Sequence, residues 1–239
     1  MKEKVKQNKS DFLEHLNSFK DKFEKFYSQK YFIDNIPEIL NKSISYINST
    51  GGKRIRPFLV YECASLFDVK FEESIDAAIA IEMVHTYSLI HDDLPAMDDD
   101  NMRRGNETLH KKYNEAVAIL SGDALLTDSF FLLVERYKDI DINICIELIK
   151  LISEAAGSSG MVGGQILDLF SNEKNNKSVN LMNEMKTGAL IRCATCFGAI
   201  LGKGSKEDFK NMYNYGNSIG KVFQIKDDLL DLEGDEKVV

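Results

Sequence analysis

Proline is confined to positions 37, 57 and 95, and residues 96–239 contain none. A proline inside a helix removes a hydrogen bond and clashes with the preceding turn. Long proline-free stretches rich in Leu, Ile, Ala, Glu and Lys, with only 15 glycines among 239 residues, therefore favour helices over sheets. The chain is expected to be all-α. Its length and 44% hydrophobic content allow a sizeable core. No shift in composition marks a boundary, which leaves one large domain and two smaller ones equally open.

The apolar period places the helices. Phe12, Leu16, Phe19, Phe23 and Phe26 recur at steps of four and three, predicting an amphipathic first helix behind Ser10 as N-cap. Pro37 opens a second helix over 37–49, which Gly51 and Gly52 break. Further helices are expected over 57–67, 72–94, 112–138, 141–157, 160–170, 178–201 and 206–232. Between them lie a polar turn from Asp98 to Gly105, a surface loop from Ser171 to Lys177, and a break at Gly202–Gly204. Ser205 and Asp208 there resemble a weakened capping box.

Charge and cysteine usage narrow the partners. A net charge of −8 argues against general nucleic-acid binding and against a basic membrane-seeking surface, while leaving room for a local basic pocket. The N-terminus has no continuous apolar segment, and no 18-residue apolar run is expected elsewhere. A cytoplasmic protein with no integral membrane segment is expected. The four cysteines are irregularly spaced, and Cys193 and Cys196 lie in an apolar helical stretch, so they read as small core residues rather than half a zinc site.

Two helices carry carboxylates on stripes that their spacing turns inward. In 72–94 the stripe Ile75, Ala78, Glu82, His85, Leu89, Asp92 becomes polar towards Asp92 and Asp93, with Asp98, Asp99 and Asp100 following Pro95. In the last helix Phe209, Tyr213, Gly216, Gly220, Phe223 and Asp227 share a stripe, and Asp231 sits one turn on. The two runs also share a short likeness, LIHDDL over 89–94 against QIKDDL over 224–229. A buried carboxylate is costly unless it is paired or metal-bound. Mg²⁺ typically takes one or two carboxylates and completes its shell with water or phosphate oxygens. A solvated acidic helix end explains either run alone equally well; two runs on inward stripes weigh against it. Basic residues point the same way. Lys53-Arg54-x-Arg56 follows two glycines, and Arg103-Arg104 follows the first acidic run, both suited to diphosphate oxygens.

Five segments carry a family resemblance: GGKRIRP from Gly51 to Pro57; HTYSLIHDDLPAMD from His85 to Asp98 with Arg103-Arg104-Gly105; GGQxxD from Gly163 to Asp168; Lys186-Thr187; and FQxxDDxxD from Phe223 to Asp231. Their order and spacing resemble the trans-polyprenyl diphosphate synthase family, and within it the bacterial farnesyl diphosphate synthases, from about residue 40 onward. The resemblance implies a single-domain antiparallel helical bundle around a central cavity, a homodimer, and diphosphate substrates. It assigns Lys53, Arg56, His85 and Arg104 to isopentenyl diphosphate, and Arg103, Lys186, Thr187 and Gln224 to an allylic diphosphate. Asp92, Asp98 and Asp227 would be the principal ligands of three Mg²⁺ ions, supported by Asp93, Asp228 and Asp231. Asp92, Asp93, Asp98, Arg103, Lys186 and Asp227 would carry the catalysis.

Product length would be set by Tyr87, five positions before the first acidic motif, with small Ser88 beside it; together with the spacing from Asp93 to Asp98 this implies a fifteen-carbon product. His91 flanks the motif and reads as a packing residue. Relatives continue beyond the last acidic motif into a Gly-Lys loop and further helices, so one domain over 1–239 lacking those helices is expected. A geranylgeranyl diphosphate synthase, or a non-catalytic partner subunit, is the alternative. The intact aspartates weigh against the subunit. A terpene cyclase is disfavoured by Lys53, Arg56 and His85, since it needs no second diphosphate pocket.

Overall fold

A computed structural model describes the backbone of residues 2–30, 36–171 and 175–233, and the side chains of 10–28, 36–171, 175 and 177–226. The fold is all-α. Helices α1 (Lys2–Lys30), α2 (Glu38–Ser49), α3 (Ile55–Ser65) and α4 (Phe71–Asp92) come first. A hairpin of two-residue strands, β1 (Met102–Arg103) and β2 (Asn106–Glu107), follows, where the sequence predicted only a polar turn. Then come α5 (Leu109–Lys112), α6 (Glu115–Tyr137), α7 (Ile142–Ala156), α8 (Met161–Phe170) and α9 (Asn176–Asn183). A π-helical turn (Glu184–Gly188) joins α9 to α10 (Ala189–Leu201), and α11 (Lys206–Glu233) follows.

α4 is the spine. Every residue from Ser74 to Val84 is buried, because α3, α6 and α10 enclose the helix and α1 and α7 touch it. Its run of Ala and Ile has little polar surface to offer water, as expected of an enclosed helix. α1 packs through the predicted stripe: Phe19 stacks on Tyr61 at 5.3 Å and meets Phe58 edge-on at 5.4 Å, and Phe23 is wholly buried. Aromatic pairs of this geometry add stabilisation beyond area burial.

Several boundaries depart from expectation. α1 begins at Lys2, so Ser10 lies inside a helix and is not its cap; no glycine or proline in residues 2–9 interrupts the run. The helix expected over 112–138 is split, with Asn114 accepting a hydrogen bond from Val117 N at 2.9 Å as the N-cap of α6. The helix expected over 178–201 is interrupted by the π turn. Ser205 and Asp208 do form a reciprocal box, with bonds of 2.8 Å and 3.2 Å. The expected absence of a long apolar run is corrected as well: α6 is long and apolar enough to cross a membrane by length and composition. Within the fold it packs Leu125 and Leu133 inward, and it bears Asp123 and Asp128.

All four cysteines are free and buried, and burial pushes the thiols of Cys63 and Cys196 up to about 12. Cys63 lies where α3 crosses α10, against Gly198, whose missing side chain lets the two backbones meet. Gly198→Ala should therefore destabilise the protein by about 1–3 kcal/mol through overpacking, despite the better helix propensity of alanine. Urea unfolding of the two proteins measures the difference.

Candidate functional site

The turn from Gly51 to Arg56 carries the first basic cluster. Gly51 sits at φ 73°, and Arg54 adopts the left-handed conformation at φ 50°, ψ 34°, at the N-terminus of α3. Arg54 is 3% exposed. Its Nη1 donates to Glu82 of α4 at 2.5 Å, Nε to Glu24 of α1 at 2.8 Å, and Nη2 to the Asn48 carbonyl at 3.2 Å. The guanidinium also lies 5.6 Å from the Tyr27 ring centre. Burial opposes its charge, but Glu82 and Glu24 outweigh that and hold its pKa above the ordinary value. Arg54 is thus the partner that the buried carboxylate on the α4 stripe requires, and it is not part of a phosphate clamp. The only sequence signal for this was Glu82 itself.

Lys53, Arg56, His85 and Arg104 converge on a hollow of about 710 Å³ beside this turn, with Phe223 of α11 on its wall. Arg104, at φ 54° in the hairpin, donates to the Gly51 carbonyl, and a Cβ on Gly52 would stand 2.7 Å from its Nη1. Glycine there lets the guanidinium lie on the backbone. Arg56 Nη1 and His85 Nε2 are 3.2 Å apart. Burial, then the positive charges of Arg56 and Arg104, hold His85 well below the usual imidazole range, so it is neutral at physiological pH.

A second hollow of about 370 Å³ adjoins the first, sharing Arg56 and His85. Apolar side chains from α8, including Val162, Ile166, Leu169 and Phe170, form one side of it. Tyr87, Ser88, Asp92, Lys186 and Thr187 also line it. Burial pushes the Tyr87 hydroxyl up to about 12, and the ring meets His91 edge-on at 5.7 Å. His91 itself reaches the Ile119 carbonyl at 3.1 Å and packs on Gly122, as its packing role predicted. Lys186 projects from the π turn and pairs with Asp168 at 2.5 Å, while Gly164 lies against the Lys186 backbone. Single π turns are frequent at functional sites, since the extra residue re-aims a side chain.

The acidic residues divide. Asp98 is exposed, and its N–H bonds the Asp92 carbonyl at 2.9 Å. Burial pushes the Asp92 carboxyl up to about 6, opposed by Lys186 and reinforced by Asp98. Asp93 is 1% exposed, and its Oδ1 receives both Nε and Nη2 of Arg103 at 2.6 Å. Arg103 also reaches Asp100 at 3.3 Å. Among the described residues no three His, Cys, Asp or Glu side chains form a ready cation cage. Asp92 and Asp98 nonetheless match Mg²⁺ chemistry, which needs few carboxylates and takes phosphate oxygens for the rest. Asp93 is clasped by Arg103 through Oδ1, while its buried Oδ2 has no hydrogen-bond partner among the described residues. Gln224 lines a different hollow with Arg192 and Asn217, because 217, 220 and 224 share one face of α11. The α11 backbone carries the positions of Asp227, Asp228 and Asp231, whose side chains lie outside the described residues.

Comparison with known proteins matches this architecture. A family profile described as polyprenyl synthetase matches residues 37–239. The chain belongs to the polyprenyl synthetase family. It is 42% identical over 211 residues to the farnesyl diphosphate synthase of Bacillus subtilis (strain 168), covering 86% of this chain and 70% of that one. It is 41% identical over 204 residues to the geranylgeranyl diphosphate synthase of Cyanophora paradoxa, covering 84% and 68%. The crystal structure of an FPP/GFPP synthase from Zymomonas mobilis superposes with a TM-score of 0.88 at 35% identity, covering 93% of this chain and 82% of that one.

Asp92 yields a signed prediction. Its pKa rises from 3.8 to about 6 on folding, so the folded state binds the proton more tightly and the ionised carboxylate opposes folding above pH 6. Asp92→Asn should stabilise the protein at pH 8 in the presence of chelator, by on the order of 1 kcal/mol after solvent screening. That corresponds to a rise of roughly 2–4 °C in melting temperature. The gain should shrink as pH falls from about 6 towards 4, which calorimetry across that range checks.

Proposed function

We propose that the chain is a trans-prenyltransferase that condenses isopentenyl diphosphate with dimethylallyl or geranyl diphosphate to give farnesyl diphosphate. The observation that carries this reading is the pair of adjoining hollows, one cationic and one largely apolar, joined at Arg56 and His85. A reaction that ionises one diphosphate and adds a second molecule to it needs both. The names of the relatives support the same chemistry.

In this reading Lys53, Arg56 and Arg104 hold the isopentenyl diphosphate, and neutral His85 adds a hydrogen bond without competing as a cation. Lys186 and Thr187 face the allylic diphosphate. Asp92 and Asp98, joined by Asp227, Asp228 and Asp231 of α11, would hold three Mg²⁺ ions, which when bound neutralise charge on the departing diphosphate. The allylic C–O bond breaks with its electron pair leaving on the diphosphate. The isopentenyl double bond then attacks the allylic cation, and the new cation loses a proton to the released diphosphate. The apolar wall from α8 keeps water from quenching either cation. Arg103, fixed by Asp93 and Asp100, stabilises the leaving group from the rim.

Tyr87, 6% exposed, is the proposed floor of the apolar hollow. A second product, geranylgeranyl diphosphate, is favoured by one observation: Ser88, on the same wall, is small and half-buried. We assign the chain to a single isoprenoid synthase domain in a cytoplasmic homodimer. Leu120 and Phe131 on α6 and Ile146 on α7, all more than half exposed, support a subunit contact there.

Incubation with Mg²⁺, labelled isopentenyl diphosphate and geranyl diphosphate should yield a fifteen-carbon product, and chelator should abolish it. No elongation by the native protein would overturn the reading. Tyr87→Ala should shift the product towards twenty carbons or more, as resolved by chromatography after dephosphorylation.

A further inference from the structure

Among the described residues, the cationic hollow has one wall residue from α1, outside every motif. Lys20 of α1 lines it beside Lys53, Arg56 and Arg104. It is half-buried and makes no ion pair among the described residues. The two carboxylates on the same wall are already engaged: Glu82 by Arg54 at 2.5 Å, and Asp100 by Arg103 at 3.3 Å. The remaining lining charge is positive in a protein of net charge −8. Like charges gathered in a partly enclosed hollow repel one another until a multiply charged anion enters.

The stretch of α1 that carries Lys20 is held in place. Glu24, one turn on along the same face of α1, is gripped by Arg54 Nε at 2.8 Å and Nη2 at 3.3 Å. Phe19 and Phe23 anchor the adjoining face of α1 in the core, with exposures of 2% and 0%. The helix therefore cannot roll to withdraw the lysine. Arg54 cannot itself serve an anion, because its donors are turned to Glu24, Glu82 and the Asn48 carbonyl.

We propose that α1 is a working wall of the isopentenyl diphosphate pocket: Lys20 lends a further cation to that diphosphate, and Arg54 is a positioning residue that holds Lys20 there through Glu24. The inference rests on the two-substrate reading above and adds to it a substrate contact from a helix that the sequence marks only as packing.

Steady-state kinetics with each substrate varied in turn provides the test. Lys20→Met should raise KM for isopentenyl diphosphate by about fivefold, the scale of a partly solvated ion pair. KM for geranyl diphosphate, kcat at saturation and the melting temperature should stay at wild-type values, and Lys20→Arg should restore the KM. Glu24→Gln should raise the same KM, and in that background Lys20→Met should add less than about twofold, as coupled residues do. Calorimetric titration with inorganic diphosphate, which requires no turnover, should show weaker binding to Lys20→Met. Unchanged KM and unchanged diphosphate binding in Lys20→Met, with an active native protein, would overturn the role of Lys20. Additive effects of the two substitutions would overturn the positioning role of Arg54. If the native protein made no prenyl diphosphate, the two-substrate reading would fall, while the diphosphate titration would still decide whether Lys20 serves an anion.

Discussion

The buried fork at Arg54 is the contact on which the rest of the site depends. One guanidinium joins α1, the end of α2 and α4, and it does so from a backbone conformation at φ 50° that few side chains adopt. With the Glu82 side chain 3% exposed, removing Arg54 would strand an uncompensated charge, an effect of about 3–5 kcal/mol. The geometry of the turn follows from it. Gly52 comes to lie under Arg104, and Arg56, two residues beyond Arg54, reaches His85.

α4 divides the chemistry by its periodicity. Glu82 and His85 face the cationic hollow, while Tyr87, Ser88 and Asp92 face the apolar one, and at about 100° per residue a single helix serves both. Its enclosure on nearly all sides keeps the two sets of side chains in fixed relation. The same enclosure leaves Asp92 under-solvated, so the fold tolerates an unfavourable carboxylate where a cation and a phosphate are to meet.

The acidic stripe of α4 and the separate basic clusters were legible because inward-facing charge violates the apolar period. What the charges do was less legible. Lys53, Arg54 and Arg56 look alike in sequence, yet only the left-handed turn at Arg54 decides that its side chain points into the core. Asp92 and Asp93 are likewise adjacent and chemically identical, but Arg103 takes one and leaves the other. Lys20 was hidden because an apolar stripe identifies the face of α1 that packs and says nothing about its flank. The extent of α1 and the split before α6 were missed for local reasons, an uninterrupted polar run and the Asn114 cap.

The π turn at Glu184–Gly188 left no trace in the apolar pattern of 178–201, although Lys186 and Thr187 both project from it. A π turn amounts to one residue inserted into an α-helix, and its wider hydrogen-bonded ring is the less stable arrangement. Loss of a single residue between Asn183 and Ala189 would let α9 and α10 fuse into one regular helix, rotating everything upstream by about 100° relative to α10. The segment thus stands one deletion away from a more regular helix that no longer aims its lysine and threonine together, and the irregular turn is the form that keeps both in the cavity.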